Sequence, residues 1–200
     1  MSKAPLLIDR SSLARRRSRS KAGRGYFLHQ EAISDLQDRL QMITKPFTDI
    51  TIVTGHPAPW AEAFPTARIL PDDEVLNLLP NSNDLVIHAM SLHWANDPLG
   101  QMIQCRRALR PDGLFLASLL GGKTLNELRI ALAEAETIIR GGVSPRVLPM
   151  ADIRDLGALL SRAGFNLPVA DSHKVHATYL NLNDLMHDLR SMGETNAQSA

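Results

Sequence analysis

The feature that most constrains this chain is an alternation. The apolar runs DITIVT (49–54), ARIL (67–70), DLVIHAM (84–90) and LFLASLL (114–120) are separated by stretches whose apolar residues recur at helical spacing. Strands joined through helix-length segments pair in parallel, because a tight hairpin cannot return the chain to the same end of a sheet. DLVIHAM is apolar on both faces, as a strand covered on both sides must be. The reading is an α/β protein with a doubly wound, mostly parallel sheet.

The helices announce themselves by period and caps. Residues 27–44 place Ile33, Leu36, Leu40 and Ile43 on one stripe, and Pro46 ends it. PAPWAEAF gives at most a turn or two of helix, and DDEVLNLL (72–79) reads as a short one. Asp97 before Pro98 is a helix start, followed by Leu99, Met102, Ile103 and Leu109 on the buried side, and RPDG is a turn into the next strand. Thr124 and Glu127 have capping-box spacing ahead of Leu125, Leu128, Leu132, Ala135 and Ile139, with Gly141 and Gly142 closing the helix. Another helix runs from about Asp152 to Ala163, with Gly164 as its C-terminal cap. LPVADSHKVHATY (167–179) reads as one or two closing strands, and NLNDLMHDLRSM as a last helix.

At 200 residues the chain suits one domain with a substantial core. We divide it into a basic N-terminal arm, residues 1–26, and a single α/β domain, 27–200. Residues 1–24 carry eight basic side chains against Asp9 alone, leaving 14 basic and 20 acidic residues for the rest. The arm can be a solvated or cofactor-facing helix, a partner for an anion, or a transit peptide, being Arg- and Ser-rich and acid-poor. No aromatic residue precedes Tyr26 to stack on bases, so nucleic acid is not the expected partner. APLLI is too short for a secretory signal, and no apolar stretch is long enough to span a membrane. The expected compartment is the cytoplasm, or the mitochondrion if the arm is a transit peptide. The single Cys105 permits no internal disulfide and reads as core.

From NDLVIHAM through SLHWANDP and LRPDG to GGKTLNELR, and again in GGVSPRVLPMADIRDLGALLSRAGF and DLRSMGETNA, the chain resembles the methyltransferase type 11 family of class I S-adenosylmethionine-dependent methyltransferases. Within that family it is most similar to the branch holding the biotin-synthesis methyltransferase and the mitochondrial complex I assembly factor that hydroxylates an arginine. The likeness covers roughly residues 83–196, and the Asp9-Arg10 pair with its downstream arginines is similar to the start of that branch. The resemblance implies a Rossmann-like methyltransferase fold, with S-adenosylmethionine as cofactor. The substrate is unknown and can be a protein.

The resemblance weakens at the first strand. Such methyltransferases end it in an acidic residue and a glycine-rich turn, which lets the backbone approach the cofactor. Here the turn is TGHPAPW, with Gly55 its one glycine, His56 adding bulk, and Pro57 and Pro59 removing donors. About 30 residues separate this strand from NDLV, where the family implies something nearer twice that. The fold is therefore shortened in its first half.

Gly55, His56, Asp72, Ala89 and Met90 are the candidate cofactor contacts. Asp72, or Asp73 beside it, would hold two ribose hydroxyls, unless one caps the helix of DDEVLNLL. His93 and Trp94 follow the carboxyl end of a strand, where open α/β sheets hold ligands, and are the candidate catalytic pair; Trp94 can equally pack over the sheet edge. His88 reads as a core histidine, and His173 and His176 face opposite sides of a strand, so no metal site is expected. Two functions follow: a methyltransferase, or a catalytically inactive binding or assembly factor, for example for respiratory complex I, with a closed cofactor site. The end at GETNAQSA implies either a truncated chain or a missing substrate-covering part, and an apolar face on the last helix invites an oligomer.

Overall fold

A computed structural model describes residues 6–20 and 26–199. Lys3, Lys21 and Arg24 of the basic arm lie outside the described residues. The elements in chain order are α1 (Arg10–Arg17), α2 (Phe27–Gln41), β1 (Ile50–Thr54), α3 (Pro57–Ala63), β2 (Arg68–Leu70), β3 (Asn83–Ala89), a 3-10 turn (Leu92–Trp94), α4 (Pro98–Ala108), β4 (Leu109–Ser118), α5 (Asn126–Arg140), α6 (Ile153–Ala163) and α7 (Leu182–Ser191). The four strands form one parallel sheet in the order β2-β1-β3-β4.

Both faces of the sheet are covered. On one, Ile52, Leu85, Ile87 and Ala89 pack with Ile33 and Leu36 of α2 and with Trp60 of α3. On the other, Val53 and Val86 meet Cys105 and Ala108 of α4, and Met102 of α4 meets Ala163 of α6. Alternation along β1 and β3 sends Ile52 and Val53, and Val86 and Ile87, to opposite cores, so both faces of these strands are buried. This is the doubly wound α/β architecture expected from the pattern. Burial pushes the Cys105 thiol up to about 12, as its place in the α4 core requires.

Several local expectations hold. Asp97 caps α4 by accepting the Gly100 N–H at 2.8 Å with Pro98 at the first turn, and Gly141 and Gly164 end α5 and α6 at φ +68° and +86°.

Others are corrected. Residues 72–79 form no helix, because side chains occupy the groups a helix would pair. The carbonyls of Asp72, Asp73 and Glu74 accept from Arg10, Gln101 and Gln104, and the Leu76 N–H donates to Gln104 Oε1 at 2.8 Å. Neither Asp72 nor Asp73 is therefore a helix cap. RPDG is a loop-out within β4 rather than a turn ahead of it: Asn83 faces Leu109 and Leu85 faces Leu114, with Asp112 at φ +63°. Thr124 forms no capping box; its hydroxyl donates to the Gly121 carbonyl at 2.7 Å, and Leu125 precedes α5 without a side-chain cap. Residues 167–179 form no strand, and Leu167 and Val169 stand exposed.

Candidate active site

The carboxyl ends of β1, β2 and β3 open on one rim, and α1 lies against it. Asp9 starts α1 by accepting the Ser12 N–H at 3.0 Å and the Ser12 hydroxyl at 2.6 Å. Ile8 and Leu13 are buried with Trp94, Leu148 and Ala197, which fixes the helix. Asn96 brackets Ile8, accepting its N–H at 2.9 Å and donating to its carbonyl at 3.1 Å. The C-terminal tail pairs alongside, with Asp9 N donating to Ala197 O at 2.8 Å and Ser199 N to Leu7 O at 2.9 Å. The arm over residues 8–17 is thus part of the domain.

Between α1 and the rim lies a cavity of about 530 Å³, whose walls include Arg10 and Arg17 from α1, Thr54 and Gly55 after β1, and Asp72 and Asp73 after β2. Asp72 is only 4% exposed, and two guanidinium groups meet its carboxylate. Arg17 Nη1 lies 2.8 and 2.9 Å from its two oxygens, and Arg10 Nη1 lies 3.3 Å from Oδ2 while also reaching the Trp94 carbonyl at 3.4 Å. Burial pushes this carboxyl up, but the charges of Arg17 and Arg10 prevail and hold it below the usual carboxylate range. The Arg17 guanidinium rests against Gly55: a Cβ there would sit 2.1 Å from Arg17 Nη1, so a side chain would require the guanidinium to shift.

A second buried cluster adjoins the rim. Glu194 Oε2 accepts from Trp94 Nε1 at 2.6 Å and from His93 Nε2 at 3.2 Å, and His56 Nε2 stands 3.8 Å from Oε1. The Leu120 N–H points at His93 Nδ1 at 3.4 Å, which fixes the proton on Nε2. Burial pushes the Glu194 carboxyl up. The His56 and His93 imidazoles and the charge of Arg17 overcome this and hold the group well below the usual range. His29 packs beside His56 with ring centroids 4.9 Å apart and accepts from Trp60 Nε1 at 3.0 Å; burial and His56 pull its pKa down to about 4.

Of the residues chosen from sequence, Gly55 and Asp72 line the cavity together, with Asp73 exposed beside them. His56, His93 and Trp94 gather on Glu194, and Ala89 and Met90 are buried at the end of β3. Met90 adopts φ +50°, costly for a side chain of its size, and turns the chain from β3 toward the 3-10 turn that carries His93 and Trp94. His88 is a core histidine as read, paired with Gln101 Oε1 at 2.8 Å and held neutral by burial at about 4. Among the described residues no group of three or more His, Cys, Asp or Glu side chains is arranged to hold a metal ion. Sequence reading missed Arg10, Arg17 and Glu194, although each lies in a segment that carried the resemblance: Asp9-Arg10 with the arginine cluster, and MGETNA.

Residues 58–117 match the family model of Methyltransf_11, a methyltransferase domain. The mouse protein "Arginine-hydroxylase NDUFAF5, mitochondrial" is 45% identical over 133 residues, which are 66% of this chain and 39% of that protein. The "Malonyl-[acyl-carrier protein] O-methyltransferase" of Methylovorus sp. is 38% identical over 126 residues, 63% of this chain and 40% of that one. Among solved structures, a SAM-dependent methyltransferase from Thermotoga maritima shares the fold with a TM-score of 0.51 at 13% identity, covering 72% of this chain and 75% of that chain. The chain spans about two fifths of the length of these curated relatives.

Proposed function

We propose, from the match of residues 58–117 to the Methyltransf_11 methyltransferase-domain model, that the chain binds S-adenosylmethionine between α1 and the carboxyl ends of β1 and β2 and transfers its methyl group to an acceptor. The observation that carries this reading is the cavity of about 530 Å³ at the sheet's carboxyl rim, within the size range of small-molecule sites and at the edge where open α/β sheets hold ligands.

Three features fit the cofactor. Gly55 leaves the end of β1 without a side chain. Asp73 stands exposed in the wall, with a carboxylate free to accept two ribose hydroxyls while Asp72 anchors α1 through its arginines. Arg17 presents two buried donors, Nε and Nη2, that have no partner among the described residues. When bound, S-adenosylmethionine supplies an electrophilic methyl group on a sulfonium. The protein's work is then to orient the two reactants and exclude water, which needs few catalytic side chains. In this reading His93 and Trp94, fixed on Glu194, hold the rim in shape beside the acceptor.

The names of the relatives support a protein-borne acceptor, since one acts on an acyl-carrier protein. The mitochondrial label of the mouse relative supports a mitochondrial rather than a cytoplasmic address. Exposed Leu180 and Leu182 at the start of α7 support a self-associating face, which light scattering across a concentration series tests.

One specific observation favours a second reading, a non-catalytic assembly module: Arg17 lies over Gly55, where the backbone would otherwise approach the cofactor. Calorimetric titration with S-adenosylmethionine and S-adenosylhomocysteine separates the two. Saturable binding of either supports the methyltransferase. The absence of heat and of any thermal shift at millimolar ligand leaves the module.

A further inference from the structure

We propose that the cleft between α5 and the loop after it is a second binding site, for a free chain acid: one apolar chain ending in a carboxylate. The inference does not depend on the cofactor reading, because this cleft and the cavity at the rim share no lining residue.

It starts from a helix that is not packed as its sequence asks. Leu128, Leu132, Ala135 and Ile139 fall within about 60° of arc on α5, the stripe of a helix that covers a core. Yet Ile139 is 79% exposed, and Glu136 is the one buried side chain of α5. By contrast α2, also of 15 residues, buries His29, Ile33 and Leu36. The apolar stripe of α5 therefore has a surface to offer.

The chain returning from α5 builds a wall beside that stripe. Glu136 holds it there: Oε2 accepts the Ser144 N–H at 2.8 Å, and Oε1 accepts from Arg146 Nε at 2.8 Å and from its Nη2. The result is a cleft of about 300 Å³ with Leu132, Ala135 and Ile139 as its apolar part and Glu136, Arg140 and Arg146 as its polar part. That volume is at the lower end of small-molecule sites and suits one short chain rather than a bilayer.

Charge then selects the end group. Two guanidinium groups against one carboxylate leave the cleft at +1, and both Glu136 oxygens are already engaged. Arg140 Nη1 stands 3.9 Å from Glu136 Oε1, and Arg140 makes no hydrogen bond among the described residues. Arg146 likewise leaves Nη1 without an acceptor among them. An apolar floor beneath a cationic rim complements an amphipathic anion, and a carboxylate accepts two N–H bonds from a guanidinium edge. An uncharged chain gains only the floor. A cationic one is repelled.

Calorimetry with octanoate, decanoate and dodecanoate, each kept monomeric, tests this. Affinity is expected to rise about three- to fourfold per added methylene and to stop rising once the cleft is full. Decanol is expected to bind about tenfold more weakly than decanoate, and decyltrimethylammonium not at all. Arg140→Glu reverses the cleft's charge at a side chain 67% exposed. It is expected to weaken decanoate about tenfold or more while leaving decanol within about twofold. Arg140→Gln gives the same comparison with a smaller loss, should the reversed charge disturb the helix. Ala135→Trp fills the cleft and is expected to abolish binding of both. No saturable binding of decanoate, equal affinity for acid and alcohol, or affinity that climbs with chain length without limit overturns the assignment. So does binding to phosphatidylglycerol vesicles without binding to the free acid.

Discussion

Trp94 Nε1 donates to Glu194 Oε2 at 2.6 Å across 100 residues of sequence, closing the C-terminal tail onto the turn that follows β3. His93 donates to the same oxygen, and both donors are buried. Removing the carboxylate strands two buried N–H groups. Glu194→Ala is therefore expected to lower unfolding free energy by about 3 kcal/mol, and Glu194→Gln, which still offers an oxygen to Trp94, by roughly half as much. Urea unfolding of the three proteins at neutral pH checks both the sign and the ranking.

The buried histidines set an acid limit on stability. His29 and His88 are held neutral, with pKa values pulled down to about 4 from 6.5. The unfolded chain takes up protons at these sites as pH falls below 6.5, and the folded chain does not until about 4, so stability drops through that window. At pH 5 the two sites together remove on the order of 4 kcal/mol relative to pH 7. Glu194, depressed in the fold, adds its own loss only once pH falls through its ordinary value of 4.5. Midpoints of urea unfolding between pH 8 and pH 4 should decline in that order. Replacing His29 with Gln, which can still accept from Trp60, should flatten the first part of the decline.

Those residues also mark how far the sequence could be read. The β1 and β3 runs, the Asp97-Pro98 start of α4 and the glycine stops of α5 and α6 were legible because each depends on near neighbours in the chain. The 72–79 segment was misread because its backbone partners, Gln101, Gln104 and Arg10, come from distant elements and outweigh a weak local preference for helix. The 167–179 segment has the composition of a strand, but propensity does not order a strand without a neighbour to pair with. Gly55 and Asp72, which line the cavity, were legible as candidates because each follows a strand end. Arg17 and Glu194 were not, since an arginine in a basic run reads as solvated and a glutamate in GETNA has no local partner. Their counterparts, Asp72 and Trp94, lie 55 and 100 residues away.

The contact between Arg17 and Gly55 leaves no room for a methyl group. Gly55→Ala places a Cβ 2.1 Å from Nη1 and about as close to Cζ, so the guanidinium must leave its place against the glycine and with it the geometry that holds Asp72. Loss of stability of about 1 to 3 kcal/mol is expected, together with loosening of α1. Trypsin reports the second effect, because α1 contains Arg15, Arg16 and Arg17: cleavage there should be slow in the wild type and fast in Gly55→Ala, while sites in α4 such as Arg106 keep their wild-type rates. Unchanged cleavage within α1 would mean that Gly55 does not hold the arm in place.

Adjacent aspartates separate anchoring from binding. Asp72 is buried beneath two arginines, whereas Asp73 is exposed in the cavity wall. Asp72→Ala leaves two guanidinium groups without their carboxylate and is expected to cost about 3 kcal/mol of stability, with cofactor affinity falling as a consequence of a loosened α1. Asp73→Ala removes an exposed carboxylate and is expected to leave stability within about 0.5 kcal/mol. If Asp73 holds the ribose, its removal weakens S-adenosylhomocysteine by roughly 1 to 2 kcal/mol, and weakens 5′-methylthioadenosine by the same amount because both ligands carry the ribose. Thermal melts and calorimetry on the two variants give a crossed pattern in which Asp72 governs stability and Asp73 governs affinity for both nucleosides. The opposite pattern would move the ribose contact to Asp72 and require Arg10 or Arg17 to release it on binding.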